Sequence, residues 1–194
     1  PDSCRCQDPD TSGARTVYVD VGGVDAPGRG SITLPYRTGA YAVDPSRLAP
    51  GDTVIFNDTT SGGTGHTPFR YLCGDANPEL SGNACNGVGA TAPCGTASAP
   101  ITLTCASARQ CEFNQTGADP AFEVGGCQYI ITAGITGTAV DVPGVDVGGP
   151  NHTLYFHDAR QLTVRGTLAW RNNRCGNNHG LALINVTDSL IEEN

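Results

Sequence analysis

The chain has 194 residues, with 26 glycines, 13 prolines and nine cysteines; all eleven basic residues are arginine, and methionine is absent. A formal net charge of −8 leaves no basic face to displace counterions from a phosphate backbone, which argues against general nucleic-acid binding. The missing leucine-rich helical periodicity argues against a helical bundle, and no apolar run is long enough to span a membrane.

Residues 1–15 are polar and turn-rich and read as an N-terminal tether. Thr16 to Val21 alternates, with Val17, Val19 and Val21 on one side, and predicts a strand. Asp25-Ala-Pro-Gly28 predicts a turn. Tyr36, Ala40, Val43 and Leu48 follow at loosely helical spacing broken by Pro45. Pro50-Gly51-Asp52 turns into a strand over Thr53–Phe56, where Asp52 reads as a turn residue. Residues 57–99 form a cysteine-bearing, Gly/Asn/Ala-rich insertion with no regular pattern, and Ser61 to Gly65 within it predicts flexibility. Alternation resumes at Ile101 to Cys105 and at Cys111 to Phe113.

Three later windows share one pattern. Phe122, Val124, Cys127, Ile130 and Thr132 recur as Leu154, Phe156, Ala159, Leu162 and Val164, then as Leu181, Leu183, Val186, Ser189 and Ile191. Each window reads as a strand with alternate residues inward, a polar corner, a small apolar residue and a second strand. A period of this size marks stacked units that bury their apolar faces only against one another. The spacings of 32 and 27 residues differ, which points to variable loops at 138–150 and 171–179 as places for function.

The cysteines suggest an oxidising compartment, hence secretion. Six of them, Cys73, Cys85, Cys94, Cys105, Cys111 and Cys127, are the disulfide candidates, since cross-links there would hold the insertion against the strands. Zinc is the rival, but paired Cys-x-x-Cys spacing is missing and Cys4-Arg5-Cys6 alone is weak. With no methionine, residue 1 reads as the start of a mature or trimmed product.

Thr16-Val-Tyr-Val-Asp-Val, Asp25-Ala-Pro-Gly, Pro35-Tyr-Arg-Thr38, Ala42-Val43 and Leu48-Ala-Pro-Gly-Asp-Thr-Val-Ile55 together resemble the N-terminal cap and first coil of secreted right-handed parallel β-helix proteins of the pectin-lyase-like superfamily. Pro100-Ile-Thr-Leu is similar to their second coil, and His179 to Asn194 resembles a later one. The resemblance implies an all-β solenoid with cap and first coils over 16–194, incomplete at its C-terminus. It implies an extracellular carbohydrate-active protein, a polysaccharide lyase acting on uronate polymers by β-elimination, with catalytic coils beyond residue 194. The insertion at Asn57 departs from the family's short Gly-Thr-Tyr turn and puts a shared substrate groove in doubt. A non-catalytic surface or adhesion protein is the alternative, and a structural spacer a third.

Elimination needs a base and something to neutralise a uronate carboxylate, either Ca²⁺ or arginine. The resembled lyases commonly use Lys or Arg as base; without lysine, a base here must be Arg, His or Tyr. Arg165, Arg171, Arg174 and His179 are the candidate substrate-binding cluster, with Arg165 outward because Val164 is inward and the rest in a loop that could overhang the same face. Solvated arginines are the plainer reading. Asp141, Asp146, Asp158, Asp188, Glu192 and Glu193 are acidic candidates for Ca²⁺, without a dedicated calcium-loop spacing. His157 beside Asp158 could orient an imidazole, but a corner histidine reads first as a surface polar residue. Asn172, Asn173, Asn177, Asn178 and Asn194 suit left-handed turns stacked into ladders. Four Asn-x-Thr sequons, at Asn57, Asn114, Asn151 and Asn185, are of the kind that arise by chance in such a composition. A polysaccharide is the expected partner, and a single copy the expected state.

Overall fold

The computed structural model describes residues 14–59, 65–72, 92–115, 120–139, 152–170 and 179–194. Its strands are β1 (Thr16–Val19), β2 (Thr53–Phe56), β3 (Phe69–Leu72), β4 (Ile101–Cys105), β5 (Glu112–Gln115), β6 (Phe122–Gly125), β7 (Ile130–Ala133), β8 (Thr136–Ala139), β9 (His152–His157), β10 (Thr163–Arg165), β11 (Leu168–Trp170), β12 (His179–Ile184) and β13 (Leu190–Glu192). A single turn of helix, α1 (Gly39–Ala42), lies between β1 and β2. Thr38 caps it by accepting the Tyr41 amide, and Asp25 fixes Thr38 by accepting both its amide and its hydroxyl.

The strands follow from period-two burial. In β4, Ile101, Leu103 and Cys105 are buried while Thr102 and Thr104 are partly exposed, and β1 and β2 alternate in the same way. They assemble into three sheets, a first of order β1-β2-β4-β7-β10-β13, a second of order β11-β8-β5 and a third of order β12-β9-β6-β3. Every pairing between these strands is parallel. From β4 onward the chain visits the first, second and third sheets in turn and then begins again, so each strand pairs with its equivalent one circuit away. This is an all-β arrangement with almost no helix, as expected of a parallel β-helix.

The repeat found in the sequence is the register of the ladders. Phe122 pairs with Leu154 and Leu154 with Leu181; Thr132 pairs with Val164 and Val164 with Ile191. Between the sheets a phenylalanine cluster fills the interior. Phe56 from the first sheet, Phe113 from the second, and Phe69 and Phe122 from the third are all buried, with ring centroids 4.9–5.2 Å apart at the Phe56–Phe113, Phe113–Phe122 and Phe56–Phe69 contacts. Burying one such ring stabilises by about 2 kcal/mol, so this cluster is a major part of the core. In the last window Leu183 is 42 % exposed despite its in-register position, because β12 lies at the end of its sheet.

The corners carry stacked left-handed residues. Gly134, Gly166 and Glu193 follow the first sheet; Gly126, Asp158 and Asn185 follow the third; Tyr129, Gln161 and Asp188 precede the return to the first, all with φ between 49° and 66°. Of the asparagines expected in such ladders only Asn194 is described, and its side chain accepts from the Thr167 amide and hydroxyl at 2.9 and 2.6 Å. Cys105 and Cys111 form a disulfide across the corner between β4 and β5, and Cys127 is also disulfide-bonded. Cys94 packs against the core, while Cys73 and Cys85 lie outside the described residues.

Two strand expectations need correction. β1 stops at Val19, and Val21 is exposed rather than inward. The cause is Asp20, whose carboxylate accepts the Gly22 amide and whose carbonyl accepts that of Gly23, giving the backbone a turn in place of a ladder. The second concerns β3, which runs where no strand was expected. Phe69 and Tyr71 point inward and Arg70 outward.

Candidate functional site

The outer face of the third sheet brings charged and aromatic side chains together across successive circuits. Arg70 on β3 pairs in register with Glu123 on β6, and Glu123 with Tyr155 on β9. Two positions further along the same face, Gly125 pairs with His157 and His157 with Ile184. The missing side chain at Gly125 makes room for the imidazole: a Cβ there would lie 2.2 Å from His157 Nε2. The ring therefore leans across Gly125 and reaches Glu123.

Both ring nitrogens meet carboxylates. Nε2 lies 2.9 Å from Glu123 Oε1, and Nδ1 lies 2.9 Å from Asp158 Oδ2. A neutral imidazole has one N–H and one lone pair, so it can donate to only one carboxylate; two such contacts call for the imidazolium. Arg70 Nε stands 2.6 Å from Glu123 Oε2, a close charge contact whose angle falls short of an aligned hydrogen bond. Asp158 also accepts from Asn185 Nδ2 at 3.0 Å. Tyr155 stacks on His157 with centroids 4.5 Å apart and lies 4.7 Å from the His152 ring.

Electrostatics follow from this packing. Burial alone would lower the His157 pKa, but hydrogen bonds to Glu123 and Asp158 and their charges outweigh it, and the net shift is upward. For Asp158, desolvation acts upward and is overcome by the bonds from His157 and Asn185, so its carboxyl is held below the ordinary value. Desolvation, then the charges of Glu123 and Asp158, push the Tyr155 phenol up. His157 is thus not the surface polar residue expected at a corner; it is largely buried and fully bonded.

The anticipated residues are distributed differently. Arg165 is exposed on the first sheet, in register with Ala133 and Glu192, whereas His179 opens β12 on the third sheet opposite His152. The structure does not bring these two to one sheet, and Arg171 and Arg174 lie outside the described residues. Asp52 is buried, accepting from the Arg15 amide and guanidinium and from the Ala49 amide. His66 is also buried; its Nε2 donates to the Asn57 carbonyl at 2.9 Å, and its ring packs on Phe113 and Phe56. Among the described residues no group of three or more His, Cys, Asp or Glu is placed to hold a metal, and no helix is long and apolar enough to cross a membrane. Asp141 and Asp146 lie outside the described residues.

The sequence did carry a signal for the row. Glu123 and Tyr155 are the outward positions of windows whose inward positions were recognised, and Gly125 and His157 are the next outward pair. Arg70 was hidden because its strand is only four residues long and sits beside an irregular, cysteine-bearing stretch.

No protein family and no curated protein matches the chain. Among solved structures it is similar to pectate lyase Pel9A, at 15 % identity and a TM-score of 0.48, over 80 % of this chain and 33 % of that one. It is similar also to a rhamnogalacturonan lyase, at 17 % identity and 0.47, over 79 % and 36 %. An alginate lyase from Paenibacillus sp. str. FPU-7 shows 14 % identity and 0.44, again over 79 % and 36 %. The chain spans about a third of the length of these proteins. Likenesses of this size are too slight to carry residue roles across.

Proposed function

We propose that this chain is part of an extracellular, carbohydrate-active right-handed parallel β-helix, and that a uronate-containing polysaccharide lies along the outer face of its third sheet. The row of Arg70, Glu123, Tyr155 and His157 carries this reading. It offers cationic groups for sugar carboxylates, acceptors for sugar hydroxyls and an aromatic edge for a pyranose ring. The disulfides support an oxidising, extracellular setting. Arg171, Arg174 and His179 are proposed as a further contact for the same polymer, apart from this row. Arg165, on the first sheet, would meet the polymer separately, and Ca²⁺ would be an auxiliary bridge between carboxylates.

Cleavage by β-elimination would require a base beside the sugar C–H. In this row the imidazole meets carboxylates at both nitrogens, the pKa values of imidazole and phenol are both shifted upward, and the Arg70 guanidinium is paired with Glu123. Groups so engaged hold a uronate carboxylate by hydrogen bonds better than they remove a proton. That observation favours a second reading, a surface protein that binds the polymer without cutting it.

Both are tested with polygalacturonate, alginate and neutral glucans, with and without Ca²⁺. Calorimetric titration measures binding, and new ultraviolet absorbance from unsaturated ends measures cleavage. The expected result is binding to the uronate polymers that Arg70→Ala weakens roughly tenfold, equivalent to about 1.4 kcal/mol. Binding without absorbance selects the non-cleaving reading. A folded chain that binds none of the uronate polymers overturns the proposal.

A further inference from the structure

We propose that His157 is a proton-operated lock across the third sheet: doubly protonated it ties Glu123 and Asp158 together, and on losing a proton it releases Asp158. The effect on polymer binding rests on the function proposed above; the lock itself does not.

The geometry sets the two states. With both nitrogens protonated, the ring donates at 2.9 Å to each carboxylate and links β6, β9 and the corner after β9. Once one proton leaves, a nitrogen lone pair would face a carboxylate oxygen at the same distance, and two electron-rich atoms repel there. One contact must open. Glu123 is the more buried partner, its side chain 7 % exposed against 16 % for Asp158, and it is also held by Arg70. Removing the imidazole from Glu123 would strand a buried carboxylate, whereas Asp158 can turn to water. Nε2 therefore keeps its proton and Nδ1 loses it.

The backbone does not need to move. The Asp158 amide donates to the Ile184 carbonyl and the His157 carbonyl accepts from the Gly126 amide, so the corner remains tied to its neighbours on both sides. Only the Asp158 side chain is freed, retaining the Asn185 amide as its other partner. The charged and titratable groups facing the ring are Glu123 from β6, with Arg70 of β3 behind it, and Tyr155 and Asp158 from its own strand and corner. From β12 and its corner come the apolar Ile184 and the neutral Asn185. In the locked state these charges cancel, two positive against two negative. In the released state the face carries one net negative charge and a bare carboxylate, which repels an anionic polymer.

Nuclear magnetic resonance of the ring nitrogens across a pH titration tests the lock in the wild-type chain, Asp158→Asn and Glu123→Gln. Asparagine tolerates a left-handed φ, so Asp158→Asn is expected to fold. The expected result is a wild-type midpoint above both variants, with Nδ1 becoming the bare nitrogen above it and Nε2 staying N–H. An identical midpoint in all three proteins, or a bare Nε2, overturns the lock. Polygalacturonate affinity is then compared on the two sides of the midpoint at fixed salt, where a roughly threefold or greater loss is expected in the released state. Equal affinity on both sides overturns the coupling to binding. If the ring titrates as described while no polymer binds at either pH, the proposed function fails and the lock stands.

Discussion

Gly125 is the residue on which the third-sheet row depends, because it is what allows an imidazole from the next strand to cross over and reach Glu123. Gly125→Ala places a methyl group 2.2 Å from Nε2 and 2.3 Å from Cε1, so the ring must leave and Glu123 loses a charge-assisted bond. A destabilisation of about 2 kcal/mol is expected in chemical denaturation. The same substitution made beside His157→Ala should cost far less, since the clash and the lost bond share one partner. A cost equal in both backgrounds would mean that the glycine serves the backbone and not the ring. The composition gives no hint of this role. His157 and Asp158 are adjacent in sequence, but Glu123 is 34 positions away, and only the ladder register makes them neighbours. Local reading could therefore see an orientable imidazole without seeing what holds it.

At the level of strands and corners, the inward positions were legible and the left-handed ones were not. Burial imposes a period of two on a strand, and stacking imposes the circuit length, so both leave marks in the pattern of apolar residues. A left-handed φ leaves a clear mark only when glycine occupies it; Tyr129, Gln161 and Glu193 adopt it without any compositional sign. A paired substitution separates conformational cost from contact. Gly166→Ala meets nothing nearer than the Gly134 amide nitrogen at 3.9 Å, so its expected cost of about 1 kcal/mol is conformational. Gln161→Gly, at an exposed left-handed corner, should gain a similar amount. Thermal unfolding of the two variants measures both, and a neutral Gly166→Ala would show that these corners relax without penalty. β3 went unseen for a related reason. Four alternating residues stand out only beside a turn signal, as Pro50-Gly51-Asp52 gives β2, or once the neighbouring strand in the ladder is known.

At the scale of the whole molecule, two of the described histidines, with shifts of opposite sign, couple stability to pH. His66 is buried, and desolvation lowers its pKa despite the Asn57 carbonyl and the Asp20 charge. A depressed imidazole contributes stability above its unfolded value of about 6.5, lost as pH falls through the folded value. His157, raised, contributes fully below about 6.5 and loses that contribution as pH rises through its folded value. Asp158, with a lowered pKa, matters only further into acid. Between roughly pH 4 and 6.5 the slope of the melting temperature should therefore belong to His66. Differential scanning calorimetry should find that slope flattened in His66→Phe, and an unchanged slope would assign it elsewhere. The circuits also differ in length by five residues, since Phe122, Leu154 and Leu181 share one column. Within these two circuits the step from the first sheet to the second is two residues, Gly134-Ile135 and Gly166-Thr167, so their difference falls in the connection from the second sheet to the third; between β4 and β5 the same step is six residues. For sequence comparison this makes the circuits from β6 to β12 fixed frames, each joined to the next by one elastic splice. An alignment that permits gaps only there keeps the ladders of these two circuits in step. One that spreads them evenly slides each circuit against the next and loses the outward row first.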